Sequence, residues 1–326
     1  MIDSKKEISL RIWDFLKESN NIVLATHMGP DGDALGSVFS LALALKMIGK
    51  SPKIILDNYP DKYKFLGNSK LISKDSSDIF KCDAFVCLDC GDKSRIAADE
   101  NLFEKAKLTI NIDHHIANNN FADLNYVDTS ASSTCEIIFD IISNQIEINK
   151  KIAESIYIGI ITDTGGLKYK STSPKTLNIV SKLIETGIDF SNIYQLAMHK
   201  HTQIEANLLA RSIINSKYLL NYNIGYTFLS ISDLQDLEGR LQDLEGIVEY
   251  ILNTDGVNIA AFFTERPDGK IKVSFRSSCD IQVNNIAKAL GGGGHKFAAA
   301  ASFDSNLDEG IKKAIDLIKL EMAKNA

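Results

Sequence analysis

Histidines and aspartates are concentrated where three apolar runs of this sequence end, and one further aspartate ends a predicted helix. The segment HMGPDGD follows the run NIVLAT, an aspartate closes AFVCLD, and two histidines follow LTINID. So many carboxylates cannot converge without positive charge nearby, because like charges repel and burial makes each charge more costly. A bound cation is therefore expected among them. The residues are His27, Asp31, Asp33, Asp89, Asp113, His114, His115 and Asp163.

The mixture of imidazole and carboxylate groups indicates which cation would fit. Without a nearby thiolate pair, this mixture suits a borderline-to-hard divalent ion such as Mn²⁺ better than a thiolate-type zinc site. Asp31, Asp33, Asp89 and Asp163 supply four negative charges, which two divalent cations would balance. Paired ions about 4 Å apart can activate a water and polarise a phosphoryl oxygen. The residues thus predict hydrolysis of a phosphate ester or anhydride.

Each of these residues also has a purely structural interpretation. Asp31 and Asp33 could form a turn and cap a helix, Asp89 could belong to a polar turn, and one histidine alone could be an edge residue. Cys87 and Cys90 form a single C-x-x-C spacing without a second pair, and we interpret them as small apolar residues at a strand end. Because such residues occur together at three successive strand ends, the chemical interpretation is favoured.

The elements that must position these residues alternate between strands and helices. NIVLAT, SPKIIL, AFVCLD and LTINID have the character of strands, and residues 5–19, 34–49, 133–162 and 174–186 are predicted to be helical. This alternation predicts an α/β fold with a mostly parallel sheet and helices on both faces. Ligands of such sheets bind beyond the carboxyl ends of the strands, where the histidines and aspartates lie.

The last third of the chain has a different pattern. Residues 191–214 are predicted to be helical, and YLLNYNIGYTFLSI, VNIAAFFTE and KIKVSF follow as strands, with hairpin-like turns at Tyr222-Asn223 and at RPDGK. This pattern predicts a smaller C-terminal α+β domain. We therefore expect a first domain over 1–190, a helical connector over 191–215 and a second domain over 216–326.

Composition restricts the class of function. A chain of 326 residues, 44% hydrophobic and 24% charged, is long enough for two domains. The net charge of -6 argues against a protein that coats long nucleic acid, so an anionic substrate must be held by a local cationic site. The start of the sequence lacks a secretory signal pattern, no run is long enough to span a membrane, and five cysteines show no disulfide framework. We expect a cytoplasmic protein with reduced thiols.

Four motifs, taken in order, closely resemble those of the DHH phosphoesterase superfamily. They are HMGPDGDALGS, LDCGD, NIDHH and TDTGG, and IDHH is similar to the signature that names the family. VSFRSS at 273–278 and GGGGHKFAAA at 291–300 resemble the C-terminal domain associated with that family. The resemblance spans roughly residues 21–303. It implies a catalytic first domain, a substrate-binding second domain and an active site in the cleft between them.

The resemblance also implies roles for the residues that match its motifs. Asp89 would be shared by two divalent cations, with Mn²⁺ as the expected ion, and would be catalytic together with His115. His115 would contact the substrate phosphate or the leaving oxygen, and Asp113 would orient a histidine. The remaining ligands divide into His27 and Asp31 for one cation, and Asp33, His114 and Asp163 for the other.

Substrate binding is implied chiefly for the second domain. Arg276 would bind a phosphate through its planar guanidinium, and a glycine loop would let backbone N–H groups approach a phosphate closely. Lys168 stands where the family usually has an arginine, which keeps the charge but loses the planar fork. The residues implied for substrate binding are Arg95, His115, Arg276, Gly292, Gly293, Gly294 and His295.

The activity implied by the resemblance is hydrolysis of short oligoribonucleotides to 5′-mononucleotides, with removal of the 3′-phosphate of 3′-phosphoadenosine 5′-phosphate (pAp) as a second activity. One alternative is a phosphodiesterase acting on cyclic di-AMP or on its linear product pApA. Another is a regulator that binds nucleotides without hydrolysing them. Short RNA oligonucleotides or small nucleotides are thus the expected partners, and no association with a membrane is expected. The resemblance is compatible with a homodimer, because family members often form dimers, but no motif in this sequence marks an interface.

Overall fold

The computed structural model of the chain describes residues 2–66, 71–73 and 81–324. The chain divides into two compact units, Met1–Lys200 and His201–Ala326, and each is described here by itself. Among the described residues, none of the helices is both long and apolar enough to cross a membrane.

The first unit is built on a five-stranded sheet in the order β2-β1-β3-β4-β5, in which every neighbouring pair is parallel. This confirms the mostly parallel sheet predicted from the alternating pattern. Because the strands run the same way, the segments that follow β1, β3 and β4 leave the sheet at one edge. The strands are β1 (Ile22–Ala25), β2 (Lys53–Ile55), β3 (Ala84–Leu88), β4 (Leu108–Asp113) and β5 (Leu124–Val127).

Helices cover both faces of this sheet, as predicted, but unequally. Ile22 and Leu24 of β1 pack into a large core with most of the helices, whereas Val23 joins a smaller cluster that includes Phe103. Successive strand residues point to opposite faces, which explains the division. The helices are α1 (Ile2–Glu18), α2 (Gly32–Met47), α3 (Glu100–Glu104), α4 (Thr134–Ile142), α5 (Lys150–Asp163), α6 (Pro174–Glu185) and α7 (Phe190–Tyr194).

The stretch predicted as one helix over 191–214 is interrupted. A π-helical turn, Gln195–His199, continues α7, and α8 begins anew at Gln203 and ends at Ile214. Thr202 caps α8 by accepting from the Glu205 backbone N–H, while the Glu205 carboxylate accepts from the Thr202 N–H. This reciprocal pair is a helix start signal, and it explains the break. The division between the two units lies in this break, after Lys200.

The second unit contains a six-stranded sheet in the order β10-β11-β9-β8-β7-β6, with helices on its faces, as expected of an α+β domain. Only β7 and β8 are parallel neighbours. The strands are β6 (Lys217–Leu219), β7 (Ile224–Leu229), β8 (Ile259–Glu265), β9 (Lys270–Ser277), β10 (Gly293–His295) and β11 (Ala298–Asp304). The helices after α8 are α9 (Ile231–Asp236), α10 (Ile247–Leu252), α11 (Val283–Ala289) and α12 (Leu307–Lys324).

The second half of the glycine run forms a strand, which corrects the loop predicted from the sequence. Gly293–His295 forms the edge strand β10, which pairs with β11. A side chain at Gly292 would place its Cβ 2.1 Å from the Ala300 carbonyl oxygen, and one at Gly294 would lie 2.5 Å from the Ala299 Cα. These glycines therefore permit two backbones to approach each other closely.

Candidate active site

The first part of the site is the turn between β1 and α2. His27 is buried, and its Nδ1 lies 2.9 Å from the Met28 carbonyl oxygen. Because a carbonyl oxygen only accepts, Nδ1 carries the hydrogen and the Nε2 lone pair is left for a ligand. Asp31 caps α2 by accepting from the Asp33 and Ala34 N–H groups, as the structural interpretation of this residue predicted. The cap also fixes the Asp31 carboxylate beside His27.

Asp33, on the first turn of α2, is an almost fully buried carboxylate at 1% exposure. Its oxygens accept from the backbone N–H groups of Thr134, at 2.6 Å, and Cys135, at 2.9 Å, which begin α4. Burial, and then the charges of Asp163 and Asp31, raise the pKa of Asp33 to about 8 against these two hydrogen bonds. Without a cation, this carboxylate resists ionisation.

Asp89 follows β3 at the centre of the cluster. Its φ of 55° lies in the left-handed region, which aspartate and asparagine tolerate better than most residues. The carboxylate lies 3.7 Å from His27 Nε2, 3.7 Å from His114 Nε2 and 3.6 Å from His115 Nδ1, and it accepts from the Thr134 hydroxyl at 3.0 Å. Burial raises the pKa of Asp89 well above its ordinary value, and neighbouring carboxylates add to this.

The two histidines that follow β4 have different surroundings. His114 Nε2 lies 3.4 Å from Asp163 Oδ2 and 3.9 Å from Asp33 Oδ2. His115 donates from Nδ1 to Asp113 Oδ1 at 2.7 Å, and this bond is the largest of the effects that raise the pKa of His115 to about 9. Asp113 is fully buried, and burial raises its pKa, but hydrogen bonds from His115 and Asn118 outweigh burial and lower it.

The site residues can form two cation-binding groups around Asp89. Donor atoms of His27, Asp31 and Asp89 lie within 4.8 Å of one another, and so do those of Asp33, His114 and Asp163. Asp89 also groups with His114 and His115 at this distance. Burial and like charges raise the pKa of Asp163 to about 7. Four converging acidic groups, two of them buried, and imidazoles aimed among them fit divalent cations well.

In the second unit, Arg276 and His295 lie on the same face of the sheet. Ala298 of β11 is the register partner of both, so the three residues form one row across β9, β11 and β10. Directly opposite residues point to the same face, and Ala298 between them carries only a methyl side chain. Arg276 also donates from Nε to Glu249 at 2.8 Å, which fixes its guanidinium. His295 is exposed.

The other predicted substrate residues have less definite surroundings. Arg95 is exposed, and its carbonyl oxygen accepts from the Met28 N–H at 2.7 Å, which brings it beside the turn that carries His27. A Cβ at Gly293 would meet open space, unlike those at the two glycines beside it. Cys87 and Cys90 are buried free thiols, as the structural interpretation predicted.

Two residues at the site, Thr134 and Asn118, were not among those predicted to bind a cation or the substrate. Thr134 binds Asp33 through its backbone and Asp89 through its hydroxyl. Asn118 donates to Asp113 at 2.5 Å and to the Asn111 side chain at 2.7 Å. Thr134 begins a predicted helix, which is a sequence signal for free N–H groups but not for their partner. Asn118 lies in a polar turn that carries no such signal.

The chain is similar to known proteins over most of its length. Residues 21–160 match the N-terminal domain of the DHH family, and residues 223–324 match the DHHA1 domain. The chain is 30% identical over 309 residues to a probable bifunctional oligoribonuclease and PAP phosphatase of Streptococcus mutans, covering 88% of this chain and 91% of that protein. A bifunctional oligoribonuclease and PAP phosphatase of Thermus thermophilus is 29% identical over 93% of this chain and 90% of its own length. 

A solved structure is also similar over the whole chain. It is an exopolyphosphatase-related protein of Bacteroides fragilis, with a TM-score of 0.91 and 27% identity, and the match covers 98% of both chains. The family models and the relatives agree on both halves of the sequence. The chain therefore belongs to the DHH family and carries a DHHA1 domain in its second half.

Proposed function

We propose that this protein is a metal-dependent phosphodiesterase that hydrolyses short oligoribonucleotides to 5′-mononucleotides and removes the 3′-phosphate of pAp. The observation that carries the proposal is the pair of three-residue groups, one of which contains Asp89 while the other lies beside it. The relatives named as oligoribonucleases and PAP phosphatases align over about nine tenths of this chain, which supports this substrate class over the alternatives.

In this proposal two divalent cations, with Mn²⁺ as the expected ion, are bound by the two groups. His27 and Asp31 would hold one cation, Asp33, His114 and Asp163 would hold the other, and Asp89 would serve both. When bound, such a pair lowers the pKa of a shared water and polarises the phosphoryl oxygen. Asp33 and Asp89 would offer their oxygens to the cations in one orientation, since donors from the first turn of α4 fix both carboxylates.

His115 provides the proton in this proposal. Its Nδ1 donates to Asp113, so Nε2 is the nitrogen available to the substrate, where it can donate to the phosphate or to the leaving oxygen. The ring is about one third exposed, which gives it access to a substrate. Asp113 holds the tautomer and the ring orientation.

In the second unit, we assign substrate binding to the row formed by Arg276 and His295. A guanidinium fixed by Glu249 can bind a phosphate in one orientation, and His295 can donate to a second acceptor across Ala298. The glycines supply an edge strand with little side-chain bulk, and Arg95 adds a cation near His27. The full substrate set is Arg95, His115, Arg276, Gly292, Gly293, Gly294 and His295.

The test of this function is a comparison of substrates with purified full chain and Mn²⁺. A labelled five-nucleotide RNA, a dinucleotide, pAp, cyclic di-AMP, pApA and pyrophosphate are each assayed for products. We expect mononucleotides from the RNA and from the dinucleotide, and AMP from pAp. Preference for cyclic di-AMP or pApA would favour the alternative phosphodiesterase. Binding of pAp without hydrolysis in any divalent cation would contradict catalysis and favour a regulator.

Replacement of His295 tests the substrate row. Because His295 is exposed, His295→Ala should fold normally and raise KM for a dinucleotide by about tenfold, the equivalent of one lost hydrogen bond of about 1.4 kcal/mol. The change in kcat should be smaller. Lys296→Ala, at the next exposed position, is the matched control and should keep the wild-type KM. An unchanged KM in His295→Ala would remove this residue from the binding row.

Asp113→Asn tests the orientation of His115. The asparagine has nearly the same shape but carries no charge and only one acceptor oxygen, whereas Asp113 now accepts from both His115 and Asn118. The hydrogen bond that orients His115 is therefore weakened or lost. We expect kcat to fall by about tenfold to a hundredfold with KM little changed, the usual effect of removing such an orienting partner. Steady-state kinetics on a dinucleotide measure both. Equal activity of variant and wild type would show that His115 needs no orientation by Asp113.

A further inference from the structure

Glu136, on the first turn of α4, is a buried charge that the proposed reaction does not use. The residue is only 1% exposed. Burial of a carboxylate costs free energy unless the charge is paired and hydrogen-bonded. The contacts that satisfy this carboxylate therefore indicate what the residue does.

The contacts of Glu136 join α4 to the segment that precedes it and to the start of α6. Its Oε2 accepts from the Ser132 hydroxyl at 2.7 Å and from the Thr176 hydroxyl at 2.8 Å. Its Oε1 lies 3.1 Å from Lys175 Nζ, and that lysine also pairs with Asp140 at 2.6 Å. Hydrogen bonds to a charged acceptor are roughly twice as strong as neutral ones, which makes this a firm connection.

The same turn of α4 holds two of the candidate ligands. The backbone N–H and the hydroxyl of Thr134 donate to Asp33 and Asp89 respectively. The N-cap, Ser133, accepts from the Glu136 backbone N–H at 3.1 Å, so this residue fixes the turn through its backbone as well as its side chain. Any shift of this turn would move the donors that orient both carboxylates.

We propose that Glu136 is a positioning residue for the metal-binding carboxylates and acts through Ser132 and Thr134. By holding Ser132, it fixes the path of the chain into α4, and the donors of Thr134 then meet Asp33 and Asp89 in one orientation. Groups behind the ligands of a metal commonly set its affinity in this way. The inference rests on the proposed function, because it concerns the divalent cations that these carboxylates would bind.

The test measures Mn²⁺ affinity of the full chain by titration calorimetry, together with kcat and KM for a dinucleotide. Ser132→Ala and Glu136→Ala each remove one side of the link, and each should weaken Mn²⁺ binding by about tenfold and lower kcat, with KM changed less than about twofold. The double variant should bind no more weakly than either single variant, because both changes remove one link. Glu136→Gln keeps an acceptor oxygen and should regain most of the lost affinity.

Asp140→Asn is the matched control, because Asp140 shares Lys175 with Glu136 but its described hydrogen bonds do not include Ser132. Wild-type affinity in this control is expected. Ser132→Ala removes a single hydroxyl and decides the matter if Glu136→Ala does not fold. Wild-type Mn²⁺ affinity in Ser132→Ala, or an equal loss in Asp140→Asn, would overturn the inference. Absence of Mn²⁺ binding and hydrolysis in the wild type would instead refute the proposed function.

Discussion

Asp89→Asn is expected to lower kcat on a dinucleotide by on the order of 10³-fold or more, the scale of losing a central electrostatic group of an active site. Asp89 is the residue that the proposal assigns to both cations, so its charge has no substitute within the cluster. Asparagine suits the test better than alanine, because the φ of 55° at this position is tolerated by asparagine. The amide oxygen can still accept from the Thr134 hydroxyl.

The same variant separates a functional role from a structural one. Burial and neighbouring carboxylates hold the pKa of Asp89 well above its ordinary value, so its ionised form is unfavourable in the metal-free protein. Asp89→Asn should therefore unfold at the same temperature as metal-free wild type or higher, although it is inactive. Asp99→Asn, an exposed cap of α3 at which asparagine caps as well, is the control. Wild-type activity in Asp89→Asn would refute the proposal that Asp89 is a ligand of both cations.

The fold of the first unit could be predicted in outline because its strands are apolar runs of ordinary length. β5 (Leu124–Val127) was missed, since it has only four residues and follows an asparagine-rich turn. β10 was also missed, because glycine has no preference for strands. Its pairing with β11 depends on a close approach of the two backbones, which the glycines permit because they have no Cβ. Such pairing is a tertiary effect that no local pattern contains.

The sequence predicts which residues come together at the candidate site, but it does not predict the contacts that hold them there. Parallel strands place the residues after β1, β3 and β4 at one edge of the sheet regardless of the loop conformations. This position follows from the alternation of strands and helices in the sequence. The contact of Thr134 could not be predicted in this way, since its backbone N–H donates to Asp33, which lies 101 positions away in the sequence. The left-handed backbone of Asp89 is likewise set by its surroundings. The roles assigned to these residues stay predictions until the variants are measured.

Removal of divalent cations is expected to destabilise the first unit substantially. Asp33 and Asp89 are buried and resist ionisation, and a cation bound only by the folded chain would relieve their repulsion. At a free concentration one hundred times the dissociation constant, one bound ion adds about 2.7 kcal/mol of stability. For a unit of this size, that corresponds to a rise in Tm of roughly 5–10 °C. Differential scanning calorimetry of chelator-treated protein, with and without Mn²⁺, measures the shift.

Asp33→Asn is the variant that ties this stabilisation to the cluster. It removes one ligand, so the rise in Tm with Mn²⁺ should largely disappear. The metal-free variant should itself be less stable than metal-free wild type, because an asparagine can accept from only one of the two N–H groups, of Thr134 and Cys135, that now donate to Asp33. Asp14→Asn removes an exposed charge of α1, and it should keep the full rise because it lies outside the cluster. An equal rise in both variants would mean that Mn²⁺ binds elsewhere on this acidic chain, and the dinuclear site would then have no support from stability.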